Sequence, residues 1–428
     1  MKMMPKLRFR FLLIIALAGL WPGAMLPVSA AGLDYQTKSL SNGMKLVYKQ
    51  LPTAKTITAR IMVPTGFLNE PQGIHGISHL LEHLIYRGGG RFTAGDFQRQ
   101  VKGKALEYNG FTSLDHTEFY LEVLPENLLD CLDIYLNLIL HPNLAEGDIT
   151  LEKKIVTVEK AMRTIPGNTY FQYINSLTKE QLSENIQAIT KDDLQKYHEQ
   201  YYRTENITVI ITGPFDLKKV QDLLSIQKST NASTLGKPVA WQFKDAKIDL
   251  TLEDYLLGEE YRLLLGFPIP NPTATDLLVA KALPYILTYD SPQYDYMSNR
   301  PLDYQIFLTS MAGQYFLILS YRDCHEKYTG EMDTWHQKNF SRYCKYLKAK
   351  KFNKFLSLLA KALDRNMSRI ENESTGYNDF ITAKLFEPEA IHDNDLEGIR
   401  RLSSNDFKNF VQKYLEVDSY TKIVIKEL

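Results

Sequence analysis

The chain has 428 residues, 44% hydrophobic and 23% charged, a mixture able to bury the cores of two or three domains. Fifty basic residues balance fifty acidic ones, so no net field directs the chain to nucleic acid or to an anionic membrane surface. Three cysteines are too few for a disulfide scaffold and lack metal-site spacing. In chain order, the first element is a basic stretch (Lys2, Lys6, Arg8, Arg10) followed by an apolar run from Phe11 to Trp21 and the small residues Val28-Ser29-Ala30. That is the layout of a secretory signal with cleavage near Ala30. The run is too short for the roughly 20 residues that a spanning helix needs. The expectation is a mature protein in the periplasm or secreted medium, where Cys324 and Cys344 could pair. Cys131 lies in an apolar helical pattern and reads as a small buried hydrophobe.

Alternation predicts strands at Lys45–Lys49, Thr56–Val63 and Phe119–Val123. Periodicity of 3.6 predicts helices at Gly76–Tyr86, closed by the glycines after Arg87, at Leu128–Leu140, stopped before Pro142, and at Asp148–Met162, with Asp148 as N-cap. The segment 228–238 (KSTNASTLGKP) reads as a linker. Each side of it ends in an amphipathic helix and then a strand, Ile207–Thr212 and Thr421–Ile425. Asp193, Leu194, Tyr197, Tyr201 and Thr208 fall on Asp406, Phe407, Phe410, Tyr414 and Thr421. Apolar positions held in phase through a helix and a strand point to two related α/β domains.

The first predicted helix carries His79-Leu80-Leu81-Glu82-His83. Positions i and i+4 share a helix face, so both imidazoles can reach one ion. Imidazole nitrogens suit zinc, and catalytic zinc takes three protein ligands and keeps one position open. Glu82 can sit beside that position without being a ligand, the inverted H-x-x-E-H arrangement. A third ligand must come from elsewhere. Glu152 and Glu159, two turns apart on one predicted face, are both available, against the plain alternative of surface charge beside Lys153, Lys154 and Lys160.

His79-Leu80-Leu81-Glu82-His83 with Glu159 76 residues after His83, and Glu152 seven residues before Glu159, resembles the pitrilysin, insulysin and mitochondrial processing peptidase family. Tyr108-Asn109-Gly110-Phe111-Thr112-Ser113, Asp115, Thr117, Phe119 and Tyr120 resemble the family's segment between its two metal helices. The resemblance is good over residues 35–215 and weak beyond. It implies an α+β fold of two related domains, each a mainly antiparallel sheet covered by helices. The expected division is 1–30 signal peptide, 31–227 zinc-binding catalytic domain, 228–238 linker and 239–428 a related domain without metal ligands. It also implies Zn2+ held by His79, His83 and Glu159, Glu152 supporting the site, and Glu82 as general base of a metalloendopeptidase.

Ala105–Ser113 resembles the family's edge strand, with Asn109 and Gly110 beside the scissile bond; Asn-Gly is equally a turn signal. The family's second domain supplies an arginine and a tyrosine seven residues apart. Tyr304 matches the tyrosine, but Met297 stands at the arginine position and Arg300 is displaced by three. Either Arg300 substitutes or another subunit supplies the missing pair, and the expectation is a metal-bearing subunit paired with a related chain that supplies the arginine-tyrosine pair, or a homodimer. The alternatives are a zinc-containing scaffold with little turnover and a small-molecule lyase on the same motif, which the duplicated halves disfavour. His75 and His116 are not assigned; His141, at a helix end, suits the dipole when charged.

Overall fold

A computed structural model describes residues 33–71, 73–162, 186–229, 248–254, 261–290, 304–311, 313–322, 349–416 and 420–427. The expected signal peptide, most of the expected linker, Met297, Arg300, Cys324, Cys344 and the Tyr304 side chain lie outside the described residues.

The first half contains strands β1 (Gln36–Ser39), β2 (Lys45–Gln50) and β3 (Ile57–Val63), helix α1 (Ile77–Ile85), and two-residue strands β4 (Gly88–Gly89) and β5 (Phe92–Thr93). They are followed by β6 (Ala105–Thr112), β7 (Thr117–Val123), α2 (Leu128–Leu140), α3 (Glu146–Met162), α4 (Lys191–Tyr201), β8 (Thr208–Gly213) and α5 (Leu217–Ser225). Six strands form one sheet in the order β1-β2-β8-β3-β7-β6. All neighbours are antiparallel except β2 and β8. The alternation expected of strands is obeyed on both faces. Ile57, Ala59, Ile61 and Val63 of β3, with Val209 and Ile211 of β8, enter the core shared with Leu80, Leu84, Leu132, Leu136 and Tyr197 of the helices. Val47, Met62 and Ile210 point the opposite way and are also buried.

The second half contains β9 (Ile248–Asp254), β10 (Tyr261–Ile269), α6 (Ala274–Asp290), β11 (Tyr304–Met311) and β12 (Gln314–Arg322). Helices α7 (Ala349–Ile370), α8 (Ser374–Phe386), α9 (Asp395–Arg401) and α10 (Ser404–Tyr414) follow, and β13 (Thr421–Glu427) ends it. Its sheet runs β9-β13-β10-β12-β11. That is the order and sense of β2-β8-β3-β7-β6, including the one parallel pair, in which Ile248 faces Thr421 as Lys45 faces Thr208. The matched helices open alike. Thr190 and Asp193 form a reciprocal capping box on α4, and Ser403 and Asp406 form one on α10, each satisfying backbone donors that the first turn leaves unpaired. The fold is α+β with two related units, as expected.

Helix α8 crosses between the halves. Ile370, Tyr377, Phe380 and Ile381 close over Val47, Leu51, Met62 and Ile210 on the outer face of the first sheet. The buried Asn378 amide donates to the Thr58 and Ile210 carbonyls, both at 3.1 Å. Arg60 of β3 bonds Asn378 at 3.1 Å and Asp379 at 2.6 Å. Two local expectations are corrected. Helix α3 begins at Glu146, so Asp148 lies within its first turn and is not the N-cap. His141 does follow α2, but burial lowers its pKa and favours the neutral ring.

Candidate metal centre

Helix α1 owes its direction to Ile77, Leu80, Leu81, Leu84 and Ile85, all buried against the sheet. Its N-cap position is Gly76, at φ +94° and with no side chain to cap. The Glu70 carboxylate does that work from the preceding loop, accepting from Gly76 N–H at 2.8 Å and Ser78 N–H at 3.0 Å. An anion at this end also complements the helix dipole. His75 Nδ1 stands 3.7 Å from the same carboxylate. From α4, the Tyr197 hydroxyl meets Ser78 Oγ at 2.8 Å and Thr65 Oγ1 at 2.6 Å. The first turn is thus fixed by buried polar contacts as well as by packing.

The opposite face of α1 presents His79 and His83, whose Nε2 atoms are 3.2 Å apart. Helix α3 turns Ile149, Glu152 and Val156 inward and brings Glu159 Oε2 to 3.6 Å from His83 Nε2 and 3.8 Å from His79 Nε2. Ligand atoms on a tetrahedral zinc at about 2.0–2.1 Å stand about 3.3 Å from one another. The two imidazoles already have that separation, and the carboxylate needs only a small rotation. These three residues offer ligand atoms within 4.8 Å of one another, a nitrogen-nitrogen-oxygen donor set that fits zinc.

Glu152 is nearly fully buried and does not join the three. Its Oε2 lies 2.9 Å from His83 Nδ1, and Arg87 pairs with its Oε1. Burial alone would raise the Glu152 pKa, but the His83 and Arg87 contacts outweigh it and lower the pKa. With His83 donating from Nδ1, its Nε2 lone pair faces the centre, the outer-shell arrangement that orients a metal-ligating histidine. In the metal-free protein burial would lower the His83 pKa, but the Glu152 and Glu159 carboxylates raise it to about 9. A metal therefore displaces a proton on binding.

Glu82 is buried on the strand side of α1, and its Oε2 accepts from Thr112 Oγ1 at 2.7 Å. Asn109 and Gly110 are strand residues, paired with Tyr120 and Phe119, so they do not form a turn. Among the described residues β6 is the terminal strand of its sheet, with β7 on one side only. Gly110 approaches Glu82 closely: a Cβ there would stand 2.6 Å from Glu82 Oε1. Glu70, Arg87, Thr112 and Tyr197 were given no role at the site from sequence. A helix opening on glycine without a capping side chain was the one signal pointing to a carboxylate in the loop before it.

Two family models match, the insulinase peptidase family M16 over residues 45–210 and the M16 inactive domain over residues 188–329. The chain is 28% identical over 201 residues to the zinc protease PqqE of Helicobacter pylori, covering 44% of this chain and 45% of that protein. It is 23% identical over 270 residues to a probable mitochondrial-processing peptidase subunit beta of Arabidopsis thaliana, covering 58% and 50%. The chain thus spans about half the length of the curated relatives it matches. The crystal structure of a protease from Helicobacter pylori has the same fold, with a TM-score of 0.75 over 92% of this chain and 99% of that one at 19% identity. The chain belongs to the M16 peptidase family, whose cofactor is zinc. Within it the chain resembles the zinc proteases in sequence.

Proposed function

We propose that the chain is a zinc-dependent endopeptidase that hydrolyses peptides or unfolded polypeptide segments outside the cytoplasm. The observation carrying this reading is the meeting of His79, His83 and Glu159 from two helices, with Glu82 buried beside them. Residues 31–227 would form the catalytic domain and 239–428 the related domain. His79, His83 and Glu159 hold the metal, and Glu152 fixes the His83 ring. Bound zinc supplies a Lewis acid for the scissile carbonyl and a water acidified toward neutrality. Glu82 takes the proton from that water and delivers it to the leaving amine. The edge of β6 that no described strand pairs with receives the substrate as an added strand, which sets its backbone along Asn109 and Gly110 next to the base. The basic and apolar N-terminus supports export to the periplasm or medium.

Met297 at the expected arginine position supports the further reading that this is the metal-bearing subunit of a two-chain enzyme, Tyr304 being the half of the pair that remains. The same residue favours the second reading, a zinc-containing subunit with little turnover. One assay separates them: peptide cleavage by the purified chain, alone and with any co-purifying relative, before and after chelation and zinc return. Glu82→Gln should keep zinc and lose about 10²–10⁴ in rate, while His79→Ala should lose both metal and activity. A glutamine variant with full activity removes the assigned base. Ordinary turnover by an isolated monomer or homodimer removes the partner requirement. Zinc binding without cleavage in any arm selects the scaffold reading.

A further inference from the structure

The strand that would receive the substrate also grips the base. Thr112 is the last residue of β6, is buried, and pairs with Thr117. Its hydroxyl donates to Glu82 Oε2 at 2.7 Å. Gly110, two residues earlier, shares the same face of the strand and brings its bare Cα against Glu82 Oε1. A glutamate has three rotatable side-chain bonds, and a base must be held within a fraction of an ångström of its working position. The helix backbone cannot supply that restraint; the strand can.

We propose that Thr112 is a positioning residue for Glu82, holding Oε2 so that Oε1, beside Gly110 and the strand-paired substrate, takes the proton from water. The inference rests on Glu82 being the general base. One proton moves to Oε1 as the water oxygen bonds to the carbonyl carbon, and the same proton then passes to the departing nitrogen as the peptide bond breaks. Pairing of a substrate along β6 would fix the main chain at 110–112 and so steady the base in the same event.

The test uses the full chain, with its partner if cleavage needs one, and a fluorogenic peptide mixture. Thr112→Ser and Thr112→Ala leave the same gap where the methyl group stood and differ only in the hydroxyl. Thr112→Ser should keep kcat near that of the wild type. Thr112→Ala should lower kcat by about tenfold with KM within about twofold. Zinc content should be unchanged in both. Equal kcat in the two variants, with Glu82→Gln inactive, overturns the proposal and leaves the base assignment intact. An active Glu82→Gln overturns the assignment beneath it.

Discussion

Glu70 shows how much of the centre lies outside the motif that marks it. Glycine at the start of α1 lets the chain turn at φ +94°, which other residues adopt at a cost, but it leaves the first amides without a side-chain acceptor. The buried Glu70 carboxylate takes two of them. Glu70→Gln keeps the shape and removes the charge, so it should cost about 1–3 kcal/mol, read as a lower melting temperature of the metal-free protein. An unchanged melting temperature would show that the charge contributes nothing there. His79, Glu82 and His83 were legible because their spacing has a geometric meaning on any helix. Glu159 needed the family resemblance, since Glu152 and Glu159 look alike as sequence. The structure separates them by what faces each, two Nε2 atoms for Glu159 and Nδ1 with a guanidinium for Glu152.

Elements were legible where the burial pattern is local. Leu128–Leu140 appears with its expected ends, and the strands and helices around the centre differ by only a residue or two at either end. The start of α3 was misplaced because Glu146 and Asp148 are both good first-turn residues. Neutrality of histidines was not legible, since it depends on what packs over them. His198 of α4 is buried, donates from Nε2 to the Ile139 carbonyl of α2 at 2.8 Å and stacks on Tyr202. Burial pushes its pKa down to about 4 despite that carbonyl, with His141 adding to the fall. The folded value lies below an unfolded value of about 6.5. Between these values the unfolded chain binds more protons, so the contribution is whole above about pH 6.5 and lost as pH falls toward about 4. The full span is on the order of 3 kcal/mol. In His198→Gln, which retains an amide donor, metal-free stability should fall less steeply between pH 6.5 and 4 than in the wild type. Parallel curves would place the acid sensitivity elsewhere.

At the scale of the molecule, duplication was readable because the amphipathic helices and strands of the two halves keep phase from Asp193 and Asp406 onward. The crossing of α8 was not, because nothing in Ser374–Phe386 says that its apolar face belongs to the other half. Val47, Met62 and Ile210 read as strand residues, and only the fold shows that both sides of their sheet are dry. Fully burying side chains of this size contributes about 1.5–3 kcal/mol each. Residues 33–229 expressed alone should therefore aggregate, and co-expression with residues 248–428 should restore solubility. A soluble, cooperatively unfolding first fragment would contradict this.

The intact chain makes closure of that face an intramolecular event. Its strength is then set by effective concentration along the tether and does not depend on how dilute the protein is. A chain diluted far below its level at synthesis would keep this sheet covered all the same.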